Sequence, residues 1–147
     1  MVVRVSVLIN APLAEVWAEA SAFERHVEWM ADAETIEFLT EQRRGAGTTM
    51  SVRTSVGPLT TIDVIEVTEI DEPHRIAVVH RGRISGTGQF TLLATGPLKT
   101  RFTWEESLEF PGYLGGPIGA KIAAPLLSAI WRRNLARLKI RIEGDNL

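Results

Sequence analysis

Two side chains in this sequence are placed to move a proton. They are His80 and Glu106. The chain has three histidines and no cysteine, so groups that change charge near neutral pH are few. His80 shares strand parity with Ile76 and Val78. If those two face inward, His80 does too, toward the end of its strand. A neutral imidazole there binds a ligand oxygen or shuttles a proton; the plainer alternative is a hydrogen-bonded histidine at a rim. Glu106 shares a face with Phe102, Trp104, Leu108 and Phe110, while Arg101, Thr103, Glu105 and Ser107 share the other. An inward aromatic face makes Glu106 a carboxylate among apolar groups, where desolvation raises its pKa and suits it to acid–base work. A bulge at Glu105–Glu106 would instead turn both acids to water.

The remaining polar candidates read less sharply. His74 follows Pro73 at a hairpin and reads as an exposed turn residue. His26 lies in a short helix and reads as a surface residue, with a position at a pocket mouth as the alternative. Asp63 and Glu66 lie on a strand whose faces are both mixed, so their directions stay open. Arg53 and Arg75 read as solvated strand arginines. Trp17 reads as core, whereas Trp104 and Trp131 divide between core and the wall of a binding site, where an indole N–H can orient a flat ligand. With Phe102, Val78, Phe90, Met50 and Leu127 they are the expected ligand-contacting residues. No histidine pair at i, i+4 and no His/carboxylate cluster at metal spacing occurs, so neither a metal nor another cofactor is expected. The glycine pairs lack the strand-to-helix setting and the Lys-Ser/Thr ending of a phosphate loop. No G-x-S-x-G element is present.

These side chains need a scaffold, and its parts are legible. Val2–Ile9 alternates as a strand. Asn10-Ala11-Pro12 then leads into a short helix with the stripe Leu13, Val16, Trp17 and Ala20; Asn10 is the expected cap and Pro12 suits the first turn. A second short helix spans Phe23–Met30. Six strands follow: Thr35–Gln42, Thr48–Ser55, Thr60–Ile70, Arg75–Arg81, Ser85–Thr95 and Lys99–Phe110. Their connections are mostly tight glycine or proline turns, which imply antiparallel neighbours. Gly112, Gly115, Gly116 and Pro117 then punctuate the approach to a long helix ending near Glu143, with Trp131, Leu135, Leu138 and Ile142 on one face.

One long helix on seven strands predicts a hollow. Seven strands make a sheet roughly 30 Å wide, but a helix is only about 10–12 Å across. Laid flat, it would leave apolar sheet wet at about 25 cal/mol per Å². The sheet must curl, with Gly82, Gly86 and Gly88 as bends. The expected fold class is therefore α+β: a curved seven-stranded antiparallel sheet gripping a C-terminal helix, with two short helices between strands 1 and 2. A sheet so curved does not fill wholly with side chains, and an elongated apolar pocket remains.

The chain resembles the START/Bet v 1-like (SRPBCC) helix-grip superfamily, in its bacterial polyketide cyclase/dehydrase and lipid-transport branch. The residues that carry the likeness are Ile9-Asn10-Ala11-Pro12 with Val16-Trp17, then Trp29, Val67-Thr68-Glu69-Ile70-Asp71-Glu72-Pro73, Thr100-Arg101-Phe102-Thr103-Trp104-Glu105 and Asn134-Leu135-Ala136-Arg137-Leu138-Lys139. The resemblance spans essentially the whole chain and implies a single ligand-binding domain. Members of the superfamily bind, transport, cyclise or sense ligands, so it does not choose among activities.

Three functions stay open on the residues. The first is a module that holds a small hydrophobic or aromatic molecule of lipid, polyketide or isoprenoid type. The Gly112–Gly116 segment and the Gly57-Pro58 loop are its expected gates. The second is a metal-free aromatase/cyclase in which Glu106 and His80 drive cyclisation and dehydration of a poly-β-ketone. The third is a protein-interaction role of the toxin-like or co-chaperone kind.

Bulk composition narrows the partners. Sixteen basic and eighteen acidic side chains in 147 residues give a net charge of −2, too balanced for nucleic acid. Lys121 and Pro125 interrupt the best candidate for a membrane span. Asn10, Pro12 and Glu15 break the apolar core that a signal peptide requires. A cytoplasmic monomer or homodimer is expected.

Overall fold

The computed structural model describes residues 1–144. Strand β1 (Val2–Ile9) leads into helix α1 (Leu13–Ala20) and a 3-10 turn (Phe23–Glu28). Strands β2 (Ala33–Phe38), β3 (Thr49–Val56), β4 (Leu59–Asp71), β5 (Arg75–Arg81), β6 (Ser85–Gly96) and β7 (Lys99–Glu109) follow. Helix α2 (Gly116–Gly144) closes the order. The seven strands form one antiparallel sheet in the order β1-β7-β6-β5-β4-β3-β2. β2 to β7 is thus a meander, and β1 pairs with the last strand. This is the helix-grip architecture expected from the turn spacing.

Alternation sets the inner face. Val3, Val5 and Ile9 of β1, Leu92 of β6, and Phe102, Trp104 and Leu108 of β7 are buried. Against them α2 presses Trp131, Leu135, Leu138 and Ile142, all buried, the four residues whose spacing marked that face. The helix is 29 residues long, about 43 Å at 1.5 Å per residue. Its C-terminal half packs tightly, whereas its N-terminal half leaves Ile118, Ile122 and Leu126 exposed. Pro125 lies within that N-terminal half, where it removes one helix hydrogen bond without ending the helix.

A buried latch ties α2 to the segment after the 3-10 turn. Asn134, fully buried, accepts from the Ala31 backbone N–H at 3.0 Å and donates to Asp32 Oδ1 at 2.8 Å. Trp131 Nε1 donates to the other Asp32 oxygen at 3.3 Å. Asp32 thus takes two neutral donors, and both groups that a buried helix face would otherwise strand are satisfied.

Some local expectations are corrected. Asn10 does not cap α1: Pro12 holds the cap position with no side-chain hydrogen bond, and the Asn10 backbone N–H donates to Glu143 at 3.0 Å. The second strand stops at Phe38 instead of Gln42. Beyond it the Gln42 amide donates to the Ala46 carbonyl at 2.9 Å, a local bond that competes with ladder pairing. Pro117 follows the first residue of α2, and the preceding Gly115 has φ of +90°, a left-handed conformation open chiefly to glycine.

Candidate functional site

The curved sheet and α2 enclose a cavity of about 340 Å³. Its wall draws on six neighbouring strands, mostly through alternate residues: Ala33 and Ile36 of β2; Met50, Val52, Thr54 and Val56 of β3; Thr61, Asp63 and Ile65 of β4; Ile76, Val78 and His80 of β5; Phe90 of β6; Trp104, Glu106 and Leu108 of β7. Ala123, Leu126, Leu127 and Trp131 of α2 form the roof. Period-two alternation turns most of the strand side chains inward. The tryptophans Trp104 and Trp131 stack with centroids 4.8 Å apart and planes 14° from parallel. One comes from the sheet and one from the helix, so a flat aromatic surface joins wall and roof.

Of the residues expected at the wall, Met50, Val78, Phe90, Trp104, Leu127 and Trp131 line the cavity. Phe102 does not. It shares the inner face of β7 but is fully buried deeper, against Phe90 at 4.9 Å and Trp29 at 6.4 Å between centroids. Strand parity gave its face correctly, but depth along the strand put it in the core. The Gly57-Pro58 turn borders a shallower depression that shares Asp32, Val56 and Leu126 with the cavity. The Gly112–Gly116 segment does not line the cavity, although Phe110 just before it does.

Polar chemistry gathers at one end. His80 Nε2 lies 3.0 Å from Glu106 Oε1, and the two side chains are only 14% and 11% exposed. The bond spans a whole strand. His80 pairs across β5/β6 with Gly86, and Glu106 pairs across β6/β7 with Gly88. Strand β6 therefore runs beneath the bond, and Gly88 leaves the space for it. A Cβ on Gly88 would fall 3.0 Å from Glu106 Oε1 and 3.2 Å from His80 Nε2. Gly88 has no positive φ, so the glycine serves space here and is not the bend expected from the sequence. Gly82 and Gly86, at φ of +153° and +146°, do adopt glycine-type conformations.

No register shift interrupts β7 at Glu105–Glu106 on either side. Glu105 therefore faces out and Glu106 in, which resolves the alternative of a bulge. Asp63 completes the polar end. It also lines the cavity, and its Oδ2 accepts from Thr61 Oγ1 at 3.0 Å. Its Oδ1 is buried without a hydrogen-bond partner. Glu66, on the opposite face of β4, pairs with Arg81 at 2.8 Å instead. Burial pulls the His80 imidazole down. The Glu106 charge and hydrogen bond, with the Asp63 charge added, outweigh that effect and hold the pKa above its ordinary 6.5. An imidazole bonded to a carboxylate can give or take a proton at the cavity surface.

His26 is not the surface residue expected. It is 7% exposed and lines the cavity. Its Nε2 lies 2.8 Å from the Ala20 carbonyl, which makes that nitrogen the donor. Phe23, Trp29 and Phe90 surround it at centroid distances of 5.4, 5.1 and 5.8 Å. Desolvation dominates and lowers its pKa to about 4, so it stays neutral at pH 7. The signal available in the sequence was Phe23, His26 and Trp29 at spacing three, which a 3-10 turn stacks on one side. Arg53 and Arg75 face away from the cavity, paired with Glu34 at 2.8 Å and with Gln89 at 2.9 Å. His74 is no part of the wall. Among the described residues, no group of three or more His, Asp or Glu side chains is arranged to hold a metal ion. None of the helices described is long and apolar enough to cross a membrane.

Comparison with known proteins adds family and fold. The family model described as polyketide cyclase/dehydrase and lipid transport matches residues 1–143. No curated protein is a significant match. Among solved structures, a protein of Thermus thermophilus is similar with a TM-score of 0.82 at 20% identity, and 100% of each chain is covered. A START superfamily protein of Mycobacterium smegmatis gives 0.79 at 17% identity, covering 97% of each chain. The ZhuI aromatase/cyclase of a Streptomyces species gives 0.71 at 18% identity, covering 99% of this chain and 92% of that one. At such identities the likeness is one of fold.

Proposed function

The chain belongs to the polyketide cyclase/dehydrase and lipid-transport family, and from that premise we propose that it binds a small hydrophobic or aromatic molecule between its sheet and α2. The observation that carries this reading is the hollow itself. A space of about 340 Å³ walled by Met50, Ile65, Val78, Phe90, Leu127 and the Trp104–Trp131 stack exceeds what packing leaves by accident, since interior voids rarely surpass a water molecule. Its apolar lining favours a guest of matching character.

The test is retention. Protein purified without organic solvent is incubated with a mixture of lipids and small aromatic compounds, and retained masses are read by native mass spectrometry. One molecule per chain is expected, and no retained mass from any class would overturn the reading. Trp104→Ala removes one half of the stacked pair. It should weaken binding of an aromatic guest at least about tenfold, as loss of an aromatic anchor commonly does. Unchanged affinity would take Trp104 out of the site.

The 3.0 Å bond between His80 and Glu106 favours a second reading, in which the cavity also catalyses. A cyclisation with dehydration of a poly-β-ketone requires enolate formation and departure of a hydroxyl. An imidazole–carboxylate pair at the wall supplies the base for the first step and the acid for the second. The similar fold of an aromatase/cyclase is compatible with this reading. Incubation of a retained polyketide-type compound should then give a product of 18 Da lower mass, about one water lost per cyclisation. His80→Ala and Glu106→Gln should each abolish turnover while a bound mass is still retained. Retention without conversion by the parent protein would reduce the function to binding.

A further inference from the structure

The charge and hydrogen-bonding character of the wall narrows the guest further, and this step rests on the binding reading above. The titratable side chains among the lining residues are Asp32, Asp63, Glu106, His26 and His80. Among the described residues, no lysine or arginine joins them. His26 is neutral at pH 7, so the acidic side chains of the lining outnumber its one basic partner, His80, three to one. The lining is therefore rich in acids, although the whole chain is nearly balanced at −2.

Most donors around these carboxylates are already committed to protein acceptors; the hydroxyl of Thr54, cross-strand from Thr61, is the exception. Thr61 donates to Asp63, His80 Nε2 bonds Glu106, His26 bonds the Ala20 carbonyl, and Trp131 donates to Asp32. The acceptors are not used up. At Glu106 the His80 bond occupies only Oε1; Asp63 Oδ1 also lacks a partner but is itself buried, so it serves a guest only when the side chain turns toward the cavity. A buried carboxylate short of donors is costly, and an arriving hydroxyl or ammonium relieves that cost. An arriving carboxylate or phosphate meets acidic side chains with no lysine or arginine to offset them, and the one basic group, His80, is already held by Glu106. The faces of Trp104, Trp131 and Phe90 further favour a cation or a neutral ring over an anion.

We propose that the guest is an uncharged or cationic apolar molecule that presents a hydrogen-bond donor, an alcohol, phenol or amine, to Asp63 and Glu106, and that anionic amphiphiles such as fatty acids are rejected. The class is set by the end of the cavity where β4, β5 and β7 bring these residues together.

Four probes on one ring system test it: 2-naphthol, 2-naphthalenemethylamine, 2-naphthoate and 2-methoxynaphthalene. Each is titrated into the full chain at pH 7 by calorimetry. The phenol and the amine should bind at least about tenfold tighter than the carboxylate, the scale of one uncompensated like-charge contact. They should also bind tighter than the methoxy compound, which has the same body and no donor. Asp63→Asn and Glu106→Gln, which preserve shape, should narrow the gap between amine and carboxylate. Equal or tighter binding of 2-naphthoate by the parent protein overturns the inference even if both variants fail to fold. Binding of the methoxy compound as tight as that of the phenol and the amine overturns it while leaving the cavity as a binding site. Failure of all four probes to bind, together with no retained lipid, would remove the binding reading as well.

Discussion

Replacing Gly88 with valine will lower stability by about 3 kcal/mol and separate His80 from Glu106. The space over Gly88 is the passage through which the two side chains meet. Even a Cβ there lies 3.0 Å from Glu106 Oε1, 3.1 Å from its Cγ and 3.2 Å from His80 Nε2. For alanine those atoms need yield only a few tenths of an ångström, and they are the ends of side chains that can do so. The smaller unfolded-state entropy of alanine partly offsets the strain, at about 0.5–1 kcal/mol. Valine adds two methyl groups where no such adjustment suffices. It both overpacks the wall and leaves a buried acid and base apart.

Denaturant titration at pH 7 gives the stability change. A proton NMR titration gives the cause. In the parent protein Glu106 and Asp63 hold His80 above 6.5 against its burial; in Gly88→Val only burial and the weaker Asp63 charge remain, so its pKa should fall. An unchanged His80 titration in a folded valine variant would show that Gly88 does not hold the pair together. The stability from the His80 pair is fully present below about pH 6.5 and is lost as pH rises through the raised folded pKa.

Acidification from pH 7 to pH 4 should remove about 3 kcal/mol of stability through His26 alone, since a depression from 6.5 to about 4 is worth roughly 1.4 kcal/mol per pH unit. The unfolded chain protonates this imidazole near pH 6.5. The folded chain does not until about pH 4, because the ring is enclosed by Phe23, Trp29 and Phe90. Protons therefore bind preferentially to the unfolded state across that window, and stability declines as pH drops. The His80 pair runs the other way only above pH 6.5, so it does not mask the slope below.

Glu24, held at about 2 mainly by its hydrogen bond to Arg44, adds a further loss only below its unfolded value near 4.5. That bond is partly solvated and therefore weakened by screening. Denaturation midpoints at pH 7, 6, 5 and 4.5 would trace the slope. His26→Gln keeps a donor for the Ala20 carbonyl without a titrating ring, so its curve should be nearly flat between pH 6.5 and 5. A parent curve equally flat there would mean that His26 is not enclosed as described.

Much of the architecture was written in local pattern. Trp131, Leu135, Leu138 and Ile142 identify the buried face of α2 because helical periodicity is a property of neighbours three and four apart. The alternation of Phe102, Trp104 and Glu106 likewise places all three on the inner face of β7, and glycine and proline turns mark the meander. Pattern was weaker where one side chain overrides it, as when Gln42 knits its own loop and ends β2 early. It was also weak for His26, whose burial depends on a 3-10 turn docking against Phe90 from a distant strand.

What sequence by itself determined, then, is which side of each element turns inward, because that follows from bond geometry repeated every two or 3.6 residues. Only the tertiary structure decided which inward residues meet. His80, Gly88 and Glu106 lie on three different strands, and their contact depends on strand order and on a register shared across two ladders. Depth was decided there too: Phe102 and Trp104 have the same parity, yet one is sealed in the core and the other faces the hollow. That difference comes from the curvature of the whole sheet around α2, a sum over every strand that no short stretch of chain contains.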